Sequence, residues 1–163
     1  KENITNKKEA ISTYIEEVIK IVDHGNCRGI KTAMEPNVVQ KFNLVKNKNE
    51  LSLFAEFPEI EELFQSLNDT KMGLLLDLGH TIVTSHWLNF DKDEFVEKCR
   101  NKVFAIHASN NNGLQDQHKS LTKECWQSSK LKKFKNVPIT LETMNLTVKG
   151  IKENIQLVEE IIN

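Results

Sequence analysis

Paired cysteines are missing from this chain. Cys27, Cys99 and Cys125 are odd in number, far apart, and none belongs to a Cys-x-x-Cys pair. That usage points to a reducing compartment, the cytoplasm, rather than to a disulfide-held scaffold. An excess of one charge sign is missing too. Lys and Arg number 22 against 23 Asp and Glu, for a net charge of -1 and a pI near 6.6. No strongly basic field exists to grip nucleic acid, which makes that class of partner the weaker expectation. Long apolar runs are also lacking. No run approaches the length that crosses a bilayer, and no stretch of these residues has the pattern of a signal peptide. What is present is 163 residues with 39% hydrophobic content. That is material for one sizeable core and too little for two ordinary domains, so residues 1–163 read as one domain. A charged fraction of 28% beside regular apolar runs argues against disorder. The chain starts at Lys1, its first methionine is Met34, and a helix with no strand before it opens the sequence. The expectation is a piece of a longer protein that lacks its N-terminal part.

Strands and helices alternate. Residues 4–22 carry Ile4, Ile11, Ile15, Val18, Ile19 and Val22 at helical spacing, and His24-Gly25-Asn26 reads as the stop. Residues 29–35 read as the first strand. Residues 36–57 are ambiguous: KNKNE is a solvated turn, and LSLFAEF fits a short strand or a helix equally well. Pro58 opens a helix to about Leu67, where its missing N–H is harmless. Residues 72–77 form the second strand. Asp91 with Glu94 three residues on has a capping-box pattern for a helix ending near Cys99. Residues 102–107 form the third strand, and 108–120 a long Asn-rich loop. A helix over 121–134 and a strand from Pro138 to Leu141 follow. Thr147 then caps a last helix with a stripe of Ile151, Ile155, Val158 and Ile162. One helix followed by four βα units implies a parallel sheet with right-handed crossovers.

Each of the four apolar strand runs, GIKTAM, MGLLL, KVFAI and VPITL, is followed at once by a group of metal-ligand type. These are Glu35, Asp77 with His80 three residues on, His107, and Glu142; Asp116 and His118 sit in the Asn-rich loop. Taken singly, each has an ordinary explanation. A turn Asp, a rim His and a carboxylate paired with a lysine are all common, and Asp-x-His fits a loop. Taken together, a carboxylate or imidazole at the carboxyl end of every strand draws distant residues onto one rim, where a divalent cation could be caged. His24 at a helix end, the Lys130, Lys132, Lys133 and Lys135 cluster, and Trp126 read as structural. His86 and Trp87 either line a sugar pocket or pack the next helix. Cys99 and Cys125 read as apolar fillers within helices.

The ordered set MEPN, LDLGH, IHASNNNGLQDQHKSL and ITLETMN resembles the xylose-isomerase-like TIM-barrel superfamily. That group includes sugar-phosphate isomerases and epimerases and the endonuclease IV-like abasic-site nucleases. The resemblance runs over about residues 10–160. It implies an α/β fold, the second half of a parallel (β/α)₈ barrel of TIM type with about four βα units present. It implies that Glu35, Asp77, His107 and Glu142 hold one divalent metal, Mn, Mg, Co or Zn. It also implies that His80 contacts substrate or a second metal, and that Asp116 and His118 match a pair that holds a further metal in the nuclease branch. Two stretches depart from the pattern. Gln117 stands where the nuclease branch usually has Arg, and Lys119-Ser120-Leu121-Thr122-Lys123 stands where a Pro- or Gly-containing turn is usual.

Three functions follow as expectations. The first is a metal-dependent isomerase or epimerase of a sugar or sugar phosphate, in which the metal stabilises an enediolate while Glu35 and Glu142 move the proton. The second is a metal-dependent abasic-site endonuclease using Asp116, His118 and Glu142. The third is a non-catalytic half-barrel that associates with a missing N-terminal half or with itself through exposed sheet edges.

Overall fold

The computed structural model describes residues 6–67 and 72–163. Helix α1 (Lys7–Asn26) leads into β1 (Thr32–Met34). A short hairpin, β2 (Leu44–Val45) and β3 (Lys48–Asn49), precedes α2 (Phe57–Ser66), β4 (Met72–Asp77), α3 (Leu78–Leu88) and α4 (Lys92–Cys99). Then come β5 (Val103–Ala108), α5 (Trp126–Leu131), β6 (Ile139–Leu141) and α6 (Val148–Ile162). Strands β1, β4, β5 and β6 form one sheet in that spatial order, every pair parallel. Strand order follows chain order, so each crossover advances in the same sense and the helices share one face of the sheet. The four expected βα units are all there. Ile4, counted in the opening stripe, lies outside the described residues.

The strands form because their alternate residues have two different jobs. Leu74, Leu76, Ile106 and Ala108 are fully buried and join Ile15, Val18 and Val22 of α1, Ile60 and Leu63 of α2, and Leu131 of α5 in the main hydrophobic cluster. Truncating one such leucine to alanine typically costs about 2–5 kcal/mol. Gly73, Leu75 and Asp77 occupy the opposite pleat. The register shifts between Leu74 and Leu75, and the Phe104 ring on β5 packs against Gly73. A Cβ on Gly73 would stand 2.1 Å from the Phe104 ring, so only glycine fits beneath it.

Caps delimit several helices as the sequence suggests. Asn6 accepts from the Glu9 N–H, Asp91 from those of Asp93 and Glu94, and Thr147 from that of Gly150. In the ambiguous stretch, Lys46 and Asn47 both have positive φ, the geometry of a tight hairpin turn. Residues 51–56 are irregular, neither strand nor helix.

Several expectations are corrected. One boundary stands: α1 ends at Asn26, within the His24-Gly25-Asn26 stop, where Gly25 is small because a Cβ there would meet the Thr32 hydroxyl at 2.9 Å. The helix expected over 121–134 begins only at Trp126, with a 3-10 turn over Lys132–Phe134. Residues 119–125 are occupied in closing the preceding loop, through the Asn110–Lys119 bridge and the bond from the Leu121 N–H to Asn154. Cys125 therefore lies just before a helix, against the Ser128 hydroxyl, and not inside one. The stripe on α6 divides. Val158 and Ile161 are buried, whereas Ile151 and Ile155 are each 46% exposed and line an open groove of about 550 Å³ beside Ile139 and Leu141 of β6. Among the described residues, no helix is long and apolar enough to cross a membrane.

Candidate metal centre

The carboxyl ends of the four strands put Glu35, Asp77, His107 and Glu142 side by side. Asp77 pairs with His107 in the β4–β5 register, and Glu142 directly follows β6, its N–H donating to the Ala108 carbonyl. Each of the four residues offers one ligand atom, and all four atoms lie within 4.8 Å of one another. His107 Nδ1 stands 3.2 Å from Glu142 Oε2, 3.5 Å from Glu35 Oε1 and 4.0 Å from Asp77 Oδ2.

Asp77 has two tasks. Its Oδ1 accepts from the His80 N–H at 2.8 Å and caps α3, which starts at the very next residue. Its Oδ2 faces the cluster. Gly79 thus sits inside the first helical turn and makes no loop. Its role is close approach, because a Cβ there would meet Ser109 Oγ at 2.8 Å and Asp77 Oδ1 at 3.0 Å.

Hydrogen bonding tests whether these residues suit a cation. Asp77 Oδ2, His107 Nδ1 and Glu142 Oε2 are buried and have no hydrogen-bond partner. Buried polar atoms left unpaired are costly and call for a cause. Here three of them, from three strands, face one point together with Glu35. The donor set of three carboxylates and one imidazole suits a borderline or hard divalent ion. Burial pushes the Asp77 carboxyl up to about 7 and the adjacent Glu142 carboxylate adds to this, against the opposing pull of His80. A bound cation removes that penalty.

His80, Asp116 and His118 adjoin the four without sharing their arrangement. His80 Nδ1 donates to the Pro36 carbonyl at 3.1 Å, and its Nε2 lies 3.3 Å from Asp116 Oδ2. His118 Nε2 lies 3.0 Å from the same Oδ2, and its Nδ1 donates to the Glu142 carbonyl at 3.1 Å. Burial alone would lower the His80 pKa. Asp116, Asp77 and the Pro36 carbonyl outweigh it and hold the ring up to about 9. Burial likewise opposes charge on Asp116, but the two imidazoles bring its carboxyl below the usual range. Its Oδ1 is buried without a partner.

The Asn-rich loop is built by its own side chains. Asn110, Asn111 and Asn112 each accept from backbone N–H groups one to three residues ahead, and Asn111 also donates to the Gly79 carbonyl. Gln117 accepts from the Asn112 N–H. Two contributors had no sequence signal. One is the Pro36 carbonyl. The other is Gln40, whose side chain accepts from the Asp116 N–H at 3.3 Å. A backbone carbonyl and a loop glutamine carry no pattern that would mark them.

The remaining candidates lie elsewhere. His24 is exposed and bonded to Arg28. Lys130 pairs with Asp93 and Lys133 with Glu97. Trp126 donates to Asp93 between Lys92 and Lys130. Trp87 donates to the Leu114 carbonyl, pinning the Asn-rich loop to the end of α3, and His86 meets its ring edge-on.

No family model and no curated protein matches the sequence. Among solved structures, a D-tagatose 3-epimerase-like protein matches with a TM-score of 0.70 at 22% identity. The match takes in 94% of this chain and 57% of the other, so the chain spans little more than half that protein's length. At this identity the likeness speaks to the fold. The α/β architecture expected from the sequence, part of a TIM-type barrel, is the architecture found.

Proposed function

We propose that this chain supplies the cation-binding half of a divalent-metal-dependent isomerase or epimerase of a sugar or sugar phosphate. The observation that carries this is the convergence of three unpaired buried ligand atoms, from Asp77, His107 and Glu142, with Glu35 on one rim. Likeness of fold to a protein named for epimerase likeness supports it. Glu35, Asp77, His107 and Glu142 would hold Mn, Mg, Co or Zn. The bound cation supplies Lewis acidity to neighbouring substrate oxygens and so acidifies the adjacent C–H.

The chain's own residues divide the remaining work by exposure. Asp77 is 1% exposed and can only face inward. Glu35 and Glu142 are 32% and 38% exposed and come from opposite ends of the sheet. They flank the open side, where one withdraws the proton from carbon and the other returns it. The endonuclease reading ranks second. It needs Asp116 and His118 as further ligands, and His118 has both ring nitrogens within hydrogen-bond distance of acceptors. It also needs a basic groove, and two lysines of the one basic cluster are tied to Asp93 and Glu97.

The active unit on this reading includes a complementary half-barrel. Strands β1 and β6 each pair on one side only within the sheet, and the groove beside β6 is apolar. Helices flank both sheet edges, α1 against β1 and α2, and α6 against α5 and the groove. A second copy closing the barrel would bring one α1 and one α6 to each seam, two helices where one belongs. A segment that begins and ends on strands would bring one helix to each seam, which supports a complementary half over self-association. Metal analysis of the purified chain, followed by a ketose panel assayed with the complementary segment joined, tests the proposal. Turnover should vanish with Glu142→Gln; turnover that survives this change rejects the assignment.

A further inference from the structure

Three residues remain on the rim that the proposed cation site does not use. They are connected end to end. From one side, His118 Nδ1 meets the Glu142 carbonyl at 3.1 Å and Nε2 meets Asp116 Oδ2 at 3.0 Å. From the other, His80 Nε2 meets the same Oδ2 at 3.3 Å and Nδ1 meets the Pro36 carbonyl at 3.1 Å. A carbonyl only accepts, so each Nδ1 carries its proton; that of His80 also lies 3.5 Å from Glu35 Oε1, at the edge of the cluster of four. The two carbonyls belong to Glu142 and to the residue next to Glu35, at opposite ends of the sheet.

We infer that His118, Asp116 and His80 form a hydrogen-bonded strap that joins the Glu142 peptide to the Pro36 peptide and fixes the spacing of Glu35 and Glu142. This deepens the cation-site reading and rests on it. The three act as positioning residues. The sheet holds the Glu142 N–H through the Ala108 carbonyl, but β1 and β6 are separated by β4 and β5 and do not pair with each other. Two further bonds tighten the same span. The Met144 N–H donates to the His118 carbonyl at 2.8 Å, and Gln40, beyond Glu35, accepts from the Asp116 N–H. His118 has φ of 48°, an unfavourable backbone for a non-glycine residue, which the two-sided hold on its ring and carbonyl stabilises. Glutamate side chains are long and partly exposed here. Without a fixed backbone, their oxygens would wander by more than a cation cage tolerates.

The probe is Mn²⁺ alone, titrated into the intact chain and into His118→Ala and His118→Asn. Asparagine places its Nδ2 where the imidazole Nδ1 stands, keeps the donor to the Glu142 carbonyl and tolerates the positive φ, but has no atom to reach Asp116, so it cuts the strap at that link alone. The expected result is one Mn²⁺ per chain throughout. His118→Ala binds about 10- to 100-fold more weakly, the usual effect of losing a partner behind a ligand. His118→Asn is weakened to a similar extent, while the two variants melt alike without metal. Wild-type affinity in both variants, or recovery in His118→Asn alone, overturns the strap, because the link to Asp116 is then not needed. So does a wild-type stoichiometry of two that drops to one in both variants with the remaining affinity unchanged, because the three residues then hold a cation of their own. An unaltered chain that binds no Mn²⁺ overturns the cation site and the strap together.

Discussion

Two clusters of acids and imidazoles share one rim and differ in what their lone pairs do. In Glu35, Asp77, His107 and Glu142, three of the facing atoms are buried with no partner. In His80, Asp116 and His118, every ring nitrogen lies within 3.3 Å of an oxygen acceptor, and one atom, Asp116 Oδ1, is buried without a partner. Composition alone does not separate them, since both are built from the same residue types. Unpaired buried atoms mark a place kept for something else, whereas paired ones hold the place in shape.

The strongest way to break this contrast is Asp77→Asn. The amide oxygen still caps α3, so the fold is kept, but the charged ligand atom is gone. Mn²⁺ binding should weaken by more than about 100-fold, beyond the loss expected for outer partners. The metal-free melting temperature at pH 8 should hold or rise, because a buried acid has been removed. A fall in melting temperature with unchanged Mn²⁺ affinity, read by scanning fluorimetry and calorimetric titration, would reverse the assignment of the two clusters.

Acid sharpens the contrast next. With the Asp77 carboxyl at about 7, cation binding displaces a proton. Affinity should fall by about tenfold per pH unit below 7. Titrations in buffers of different ionisation enthalpy should show proton release of the matching size, and no release would contradict it.

The paired cluster is expected to respond to base. His80 holds its proton up to about 9 in the folded chain, above its unfolded value. Its contribution is therefore complete below about pH 6.5 and is lost as pH climbs toward 9, so the metal-free protein should melt progressively lower across that window. Asp77, also raised, contributes in the same direction at lower pH, between about 4 and 7. Asp116→Asn should flatten the decline between pH 6.5 and 9 and lower stability at neutral pH by about 1–3 kcal/mol. A decline as steep as in the unaltered chain would disconnect His80 from Asp116.

The smallest effect belongs to a position remote from both clusters. Ile155, 46% exposed beside β6, should tolerate serine within about 0.5 kcal/mol, and Mn²⁺ binding should not change. A cooperative loss of stability would mean that the groove is already filled in the isolated chain.

Much of the architecture was legible because periodicity reports burial directly. MGLLL, KVFAI and VPITL run apolar because they form the strands on which the helices pack, and the polar Asp77, His107 and Glu142 that follow mark the carboxyl ends. Legibility failed where side chains compete with the backbone. Residues 121–125 look helical in sequence, yet Leu121 is bonded to Asn154, far along the chain. It failed again on α6, where Ile151 and Ile155 have the right spacing for a core but face an unfilled groove.

By itself, the order of residues determined the alternation of strand and helix, the parallel sheet, and the placing of one ligand-type group at each strand end. Those are local properties, set by hydrophobic spacing and capping within a few residues. Only the tertiary structure decided which of the seven acids and imidazoles meet with empty lone pairs and which meet with partners. That depends on distances between segments as far apart as Pro36 and His80, or Glu142 and His118, and a one-dimensional pattern does not contain them.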